Sequence, residues 1–182
     1  MASSDAAVFV RDDARPDALT GLMTRKQFLV LAEAEWARCR SDRRPLSLLA
    51  ADIDYCQQIN GHFGHRVGDR LIVHVADLCR AIGRTPDILA RVKGEEFAIL
   101  LPETALAQAE IIAERLRRMV EATPLLTDGE RIPATVSVGV AEAHRAVDGI
   151  AALMTAADDA LLEAKLGGRN RVMRAAEPGP SA

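Results

Sequence analysis

The stretch "DILARVKGEEFAILLP" (87–102) decides how this chain is expected to fold. Two apolar runs flank Lys93 and Gly94, which is the pattern of two short strands joined by a tight turn. Two carboxylates, Glu95 and Glu96, follow that turn directly. The segment therefore predicts a hairpin that carries an acidic pair at its tip.

The rest of the chain alternates between helical and strand patterns. Helical periodicity covers 24–44, 69–83, 104–123 and 149–168, with Thr104 as a candidate N-cap. Short apolar or β-branched runs at 45–54, 134–143 and 169–175 predict strands. A hairpin inside such an alternation favours an α+β fold, in which helices flank a central, mainly antiparallel sheet with a ferredoxin-like or palm-like core.

Composition limits the class of protein. The chain has 182 residues, of which 49% are hydrophobic and 27% charged, as expected of one soluble domain. A net charge of −3 argues against DNA or RNA as a partner. Three scattered cysteines fit a reducing, cytoplasmic compartment, and no apolar run is long enough for a membrane span. We expect the domain at 17–174, an N-terminal tail or arm at 1–16 and a disordered tail at 175–182.

Acidic residues also close the strand predicted at 45–54. Asp52 and Asp54 are two apart, so they share one face of that strand. If the strand neighbours the hairpin, Asp52 and one of the two glutamates converge. Carboxylate oxygens at such a place suit Mg²⁺, which keeps waters and phosphates as its other ligands. Acids at strand ends are also commonly just solvated, and the pattern alone leaves both interpretations open.

Five blocks of the sequence, in order, resemble the GGDEF family of diguanylate cyclases. They are "DALTGLMTRKQF" (17–28), "DIDYCQQINGHFGHRVGD" (52–69), "RVKGEEFAILLP" (91–102), "TVSVGVA" (135–141) and "AKLGGRNRV" (164–172). The resemblance covers residues 17–173 and implies the palm-like α+β fold of that family. It also implies an enzyme, a nucleotidyltransferase that condenses two GTP molecules into cyclic di-GMP and two pyrophosphates with Mg²⁺, or alternatively Mn²⁺.

The resemblance also implies roles for individual residues. Asp52 and Glu95 would ligate the metal through carboxylates and Ile53 through its backbone carbonyl. Glu95 would help deprotonate the attacking hydroxyl, with Glu96 in support. The remaining positions that match the substrate-binding pattern are Asn60 and Asp69 for guanine, Gly94 at the turn, and Lys165 and Arg169 for the terminal phosphates.

The residues by themselves leave two of these assignments open. Asp69 reads equally well as the N-cap of the helix predicted at 69–83. Lys165 and Arg169 are four apart, so they share a helix face only if the helix extends that far.

This chain departs from the family pattern at two positions. Lys93 replaces the first of two signature glycines, giving KGEEF, and Gln57 stands where a phosphate-contacting lysine is common. The Lys93 side chain can reach toward a phosphate, point to solvent or obstruct the nucleotide, and the sequence does not choose among these. Because the other active-site residues are retained, we expect activity.

A second site is implied by "RTPD" (84–87). Arg84 and Asp87 match the family's inhibitory RxxD pattern, and Arg115 matches an arginine that often completes it. The resemblance therefore implies binding of cyclic di-GMP and product inhibition. A two-fold symmetric product also implies a homodimer, at least a transient one, and leaves room for a further protein partner. The alternative function is a catalytically impaired domain that binds cyclic di-GMP or GTP as an effector.

Overall fold

A computed structural model describes residues 15–127, 129–143 and 148–176. The tails expected at 1–16 and 175–182 lie largely outside these ranges. The domain boundaries at 17 and 174 stay predictions.

A six-stranded sheet forms the centre of the structure, in the order β1-β3-β4-β2-β7-β8. Its strands are β1 (Met23–Thr24), β2 (Leu46–Ile53), β3 (Ile88–Lys93), β4 (Glu96–Pro102), β7 (Val136–Glu142) and β8 (Val172–Arg174). The three inner pairs, β3–β4, β4–β2 and β2–β7, are antiparallel, whereas the edge pairs β1–β3 and β7–β8 are parallel. The predicted α+β fold with a mainly antiparallel sheet is confirmed, and so is the hairpin at 87–102.

Five helices in the described part of the chain pack against this sheet. They are α1 (Arg25–Asp42), α2 (Cys56–Phe63), α3 (His65–Ile82), α4 (Leu106–Ala122) and α5 (Ile150–Leu166). The sequence patterns did not predict α2, and α3 begins at His65 rather than at Asp69. A separate two-stranded sheet, β5 (Leu125–Thr127) with β6 (Glu130–Ile132), was not predicted either.

Strand β2 is buried along its whole length because helices cover both faces of the sheet. Leu49, Ala51 and Ile53 point into the core under α3 and α4, while Leu48 and Ala50 point into the core under α1 and α5. This alternation follows the two-residue period of a strand. The end of β2, where Asp52 lies, is therefore fixed by packing on both sides.

Two helix starts illustrate how local chemistry sets the element boundaries. Helix α1 begins with a capping box, in which Thr24 and Gln27 satisfy each other's backbone N–H groups. The prediction of Thr104 as an N-cap is wrong. The N-cap of α4 is Ala105, and the N–H of Leu106 donates to Glu142 Oε2 at 2.7 Å instead. The Glu142 side chain, from β7, thus accepts a hydrogen bond from the first turn of α4, as a capping hydroxyl usually does.

Over the described residues, every helix is too short or too polar to traverse a lipid bilayer.

Candidate active site

A cleft opens where the end of β2, the β3–β4 turn and the C-terminal end of α5 meet. Its volume is about 420 Å³. Eight of the ten residues predicted for the active site line it, namely Asp52, Ile53, Lys93, Gly94, Glu95, Glu96, Lys165 and Arg169. Tyr55, Cys56, Gln57 and Gln58 complete the wall. The structure therefore brings together residues that are more than 100 positions apart in the chain.

Strand pairing positions the three acids of the cleft. Asp52 lies directly opposite Glu96 in the β2–β4 register. The N–H of Ile53 donates to the carbonyl oxygen of Glu95 at 3.3 Å, which holds the turn against the end of β2. Gly94 has a φ of +49°, in the left-handed region, where a glycine costs least. The acidic pair is thus presented by a turn whose backbone needs Gly94.

The carboxylate of Asp52 has a pKa that its surroundings in the cleft shift upward. Burial raises the pKa of Asp52, and the nearby charges of Glu95 and Glu96 raise it further. Lys165 Nζ lies 2.9 Å from Asp52 Oδ2 and opposes this shift, but the net change is still upward. Burial and the neighbouring glutamates thus disfavour the charged form of Asp52, and Lys165 offsets this effect only in part.

The donor set fits a hard cation that keeps other oxygen ligands. In the ranges that the structure describes, no three His, Cys, Asp or Glu side chains form a metal-holding group on their own. The residues that would hold a metal here, Asp52, Glu95 and the carbonyl of Ile53, offer fewer oxygens than a cation needs. That number suits Mg²⁺, which is usually bound by one or two carboxylates plus waters and phosphates.

Two cations form the opposite wall. Lys165 lies in the last turn of α5, which ends at Leu166. Arg169 follows that end with a φ of +64°, so the helix does not extend far enough for the two residues to share one of its faces. The guanidinium of Arg169 instead stacks over the ring of Tyr55, 4.7 Å from its centroid. Both cations nevertheless line the cleft, because the chain turns back after α5.

The two departures from the family pattern also face the cleft. Lys93 and Gln57 are exposed and belong to its lining. Among the described residues, the Lys93 side chain has no hydrogen bond or ion-pair partner. The lysine thus lies at the mouth of the cleft without a fixed contact.

Asn60 and Asp69 lie outside the cleft lining, on the adjacent helices α2 and α3. Asn60 Oδ1 is buried and has no hydrogen-bond partner among the described residues. Asp69 is exposed inside α3, so its interpretation as an N-cap is wrong. Burial raises the pKa of the Cys56 thiol to about 11, and the charges of Glu95, Asp52 and Asp69 contribute to that shift. Asp69 therefore lies near Cys56, which lines the cleft.

The signature turn has a support that the sequence analysis missed. Arg91 Nε donates to the carbonyl oxygen of Gly94 at 2.7 Å, and its Nη1 donates to both carboxylate oxygens of Asp17, at 3.1 and 3.2 Å. Burial raises the pKa of Asp17, but hydrogen bonds from Thr20 and Arg91 outweigh it and leave the pKa below its ordinary value. The segment before α1 is thereby tied to the turn.

At the second predicted site, the structure joins Arg84 and Asp87. Arg84 Nε lies 3.6 Å from Asp87 Oδ1, and the N–H of Arg84 donates to Asp87 Oδ2 at 2.9 Å. Asp87 Oδ1 is buried without a hydrogen-bond partner in the described structure. Arg84 also donates to Thr104 Oγ1 at 2.6 Å. Arg115 is exposed on α4, and the structure records no contact between it and the other two residues.

The fold and the cleft together define a class: a palm-like α+β domain whose acidic strand end and turn face two cations. Residues 14–171 match the family model described as "Diguanylate cyclase, GGDEF domain". The chain belongs to the GGDEF-domain family, as the five sequence blocks predicted.

Individual relatives agree with this assignment. The chain is 35% identical over 159 residues to diguanylate cyclase A of Treponema denticola, covering 86% of this chain and 43% of that protein. It superposes with a TM-score of 0.85 on the coiled coil and GGDEF domain of DgcB from Caulobacter crescentus in complex with c-di-GMP, at 32% identity over 94% of this chain and 91% of that one. An active GGEEF domain from Vibrio cholerae gives a TM-score of 0.80 at 32% identity, covering 85% and 98% of the two chains. The chain spans less than half the length of the curated relatives it matches.

Proposed function

We propose that this chain is a diguanylate cyclase, which condenses two GTP molecules into cyclic di-GMP and two pyrophosphates. The observation that carries the proposal is the cleft in which the buried Asp52 and the turn acids face Lys165 and Arg169. Family membership supports it, because relatives with this domain are described as diguanylate cyclases.

In this reaction the acidic residues of the cleft have separate roles. The 3′-hydroxyl of one GTP attacks the α-phosphorus of the other, a new P–O bond forms, and the bond to the leaving pyrophosphate breaks. Glu95 accepts the hydroxyl proton, and Glu96 supports the site beside it. Asp52, Glu95 and the Ile53 carbonyl would hold Mg²⁺ or Mn²⁺, which would neutralise the charge on the phosphates. The same exchange repeated with the roles reversed closes the ring.

Lys165 has a specific part in this scheme. Its ammonium pairs with Asp52 in the absence of nucleotide. With Asp52 engaged in holding a cation, Lys165 would be free to pair with the terminal phosphates, and Arg169 would bind them from the neighbouring turn. Asn60 and Asp69 would receive the guanine base, because an amide and a carboxylate together match its donors and acceptors.

Each chain offers one such cleft, so two copies would face each other across a two-fold axis during the reaction. The working enzyme is therefore a homodimer, at least while substrate is bound. Proximity of two correctly oriented GTP molecules would supply much of the rate acceleration.

The direct test is turnover of GTP with Mg²⁺ by the purified chain, followed by chromatography of the products. Wild-type protein is expected to form cyclic di-GMP, and Glu95→Gln to form less than about 1% of that amount because the base is lost. Glu33→Gln is the matched control, since Glu33 is an exposed residue of α1 remote from the cleft. Equal turnover by wild type and Glu95→Gln would overturn the assignment of the base.

The site at Arg84 and Asp87 supports product binding. The Arg84 side chain is 54% exposed beside Asp87, and an accessible guanidinium matches the acceptor edge of a guanine base. Arg84→Ala is therefore expected to relieve inhibition by added cyclic di-GMP and to leave the initial rate unchanged. If the wild-type chain binds cyclic di-GMP but makes none, the effector function replaces the enzymatic one.

A further inference from the structure

The turn after α5 places Arg169 with an unusual backbone. Arg169 and Asn170 both adopt positive φ values, +64° and +46°, directly after Gly167 and Gly168. Two consecutive non-glycine residues in the left-handed region persist only where their surroundings hold them. The contacts of these two residues show what holds them.

Asn170 is fixed through three of its polar groups. Its backbone N–H donates to Asp54 Oδ2 at 3.0 Å, and its side-chain Nδ2 donates to Glu121 Oε1 at 2.8 Å. Its Oδ1 accepts from Arg117 Nη1 at 2.7 Å. Arg117 is itself paired with Glu114 and Glu121 and is only 13% exposed. The side chain of Asn170 is therefore held against α4 by Arg117 and Glu121.

Asp54 provides the other side of this clamp. It is 2% exposed, and besides the Asn170 N–H it accepts hydrogen bonds from Thr135 Oγ1 and Ser137 Oγ, both at 2.7 Å. Asp54 therefore stabilises the fold through these hydrogen bonds and, unlike Asp52, does not line the cleft. Its position right after β2 ties the turn to the central strand.

Tyr55, the residue after Asp54, contacts the same turn through its ring. Asp54 holds the backbone of Asn170, and the following ring, Tyr55, holds the side chain of the preceding Arg169 at 4.7 Å. Tyr55 also has a positive φ, +58°, which aims a half-exposed ring along the cleft wall instead of into the core. A distance of 4.7 Å lies within the range of a cation–π contact.

The stack leaves the functional edge of Arg169 free. Within the described residues, the guanidinium makes no hydrogen bond or ion pair, so its N–H groups are available to an anion while it lies over the ring. A guanidinium held in this way loses less conformational freedom when it binds an anion. Lys165 lines the same cleft, so the free edge faces a place suited to phosphate oxygens.

We propose that Tyr55 and Asn170 are positioning residues that hold the Arg169 guanidinium ready for the terminal phosphates of the nucleotide. This inference rests on the proposed function for its ligand. The stack itself rests on the geometry alone.

The test compares binding of two ligands, guanosine 5′-(β,γ-imido)triphosphate with Mg²⁺ and GMP, which lacks terminal phosphates. Tyr55→Leu keeps apolar bulk but removes the π face, and is expected to weaken triphosphate binding by about two- to fivefold. Tyr55→Phe keeps the face and is expected to bind like wild type. Asn170→Gly tolerates the positive φ and loses the side-chain clamp, so it should also weaken triphosphate binding. GMP binding should change in none of these variants.

A double-mutant cycle with Arg169→Gln separates positioning from general packing. In the Arg169→Gln background, Tyr55→Leu is expected to cause no further loss of triphosphate affinity. An equal loss in both backgrounds, or an equal loss for GMP and triphosphate, would overturn the positioning role while leaving the proposed function intact.

A readout without nucleotide tests the stack independently. The ¹⁵N–¹H resonance of Arg169 Nε should show a ring-current shift in wild type and Tyr55→Phe that is lost in Tyr55→Leu. Absence of this shift in wild type would overturn the stack. Failure of wild type to bind the triphosphate at all would instead overturn the proposed function, and with it the ligand named here.

Discussion

Replacing Gly68 with alanine is expected to displace the side chain of Asn60 without unfolding the domain. A Cβ at Gly68 would lie 1.7 Å from Asn60 Oδ1 and 2.8 Å from its Cγ. Since real contacts of this kind do not fall below 3.0 Å, the amide must move by about 1.3 Å or more (3.0 minus 1.7). The three nearest atoms all belong to the side chain of Asn60, which can rotate away from α3.

The cost to stability is small, but the cost to binding is not. An alanine in a helix interior is favoured over glycine by about 1 kcal/mol, which offsets the displacement. A displaced Asn60 no longer meets guanine, and each hydrogen bond lost is worth about 0.5–1.5 kcal/mol, or roughly two- to thirteenfold in affinity. Because guanine is common to both ligands, GMP and the GTP analogue should lose the same factor.

Isothermal titration of both ligands and urea unfolding provide the assay. Gly61→Ala is the matched control, since a Cβ there meets nothing within 4 Å on the exposed side of α2. It should raise stability slightly and leave both affinities unchanged. Wild-type affinity in Gly68→Ala, or a loss for the triphosphate only, would refute the placement of the base beside Asn60.

Three further predictions concern charge and packing. Lys93→Ala should weaken GTP binding about two- to threefold at low ionic strength, with the difference vanishing near 1 M salt; tighter binding would mean that the lysine obstructs the cleft. Gly139→Ala should lower the free energy of unfolding by about 3 kcal/mol or more, because its Cβ would lie 2.1 Å from the backbone oxygen of Ala157; a urea midpoint like that of wild type would contradict this packing. Asp17 has a lowered pKa in the folded state, so it stabilises the fold above the unfolded-state pKa of about 3.9. The stability gap between wild type and Asp17→Asn should therefore shrink as the pH falls from about 5 to 2, and a gap that widens would contradict this.

The sequence predicted those parts of the fold that depend on regular patterns. The buried strand 46–53 and the hairpin around Gly94 are fixed by runs of apolar residues and a turn, and the structure has both. The short helix α2 has only eight residues, includes a glycine and follows a left-handed Tyr55, so its periodicity is too weak to recognise. The strands β5 and β6 of the two-stranded sheet have three residues each, which is too short for a strand pattern to be recognised.

The candidate site was predictable only where the family pattern extends to it. The cleft gathers the predicted acids and cations, but the pairing of Lys165 with Asp52 depends on how α5 packs across the sheet. Likewise, Arg169 reaches the cleft through a left-handed turn rather than a longer helix, because Asn170 is held by Asp54, just after β2, and by Arg117 on α4. Contacts between distant segments leave no periodic signal in the sequence.

A crystal structure of the chain with the non-hydrolysable GTP analogue and Mn²⁺ would test the central claim most directly, because the anomalous signal locates the metal. We expect a peak between the carboxylates of Asp52 and Glu95, with Lys165 moved from Asp52 to the phosphates. A nucleotide bound without metal at these acids, or metal bound on another surface of the domain, would contradict the account.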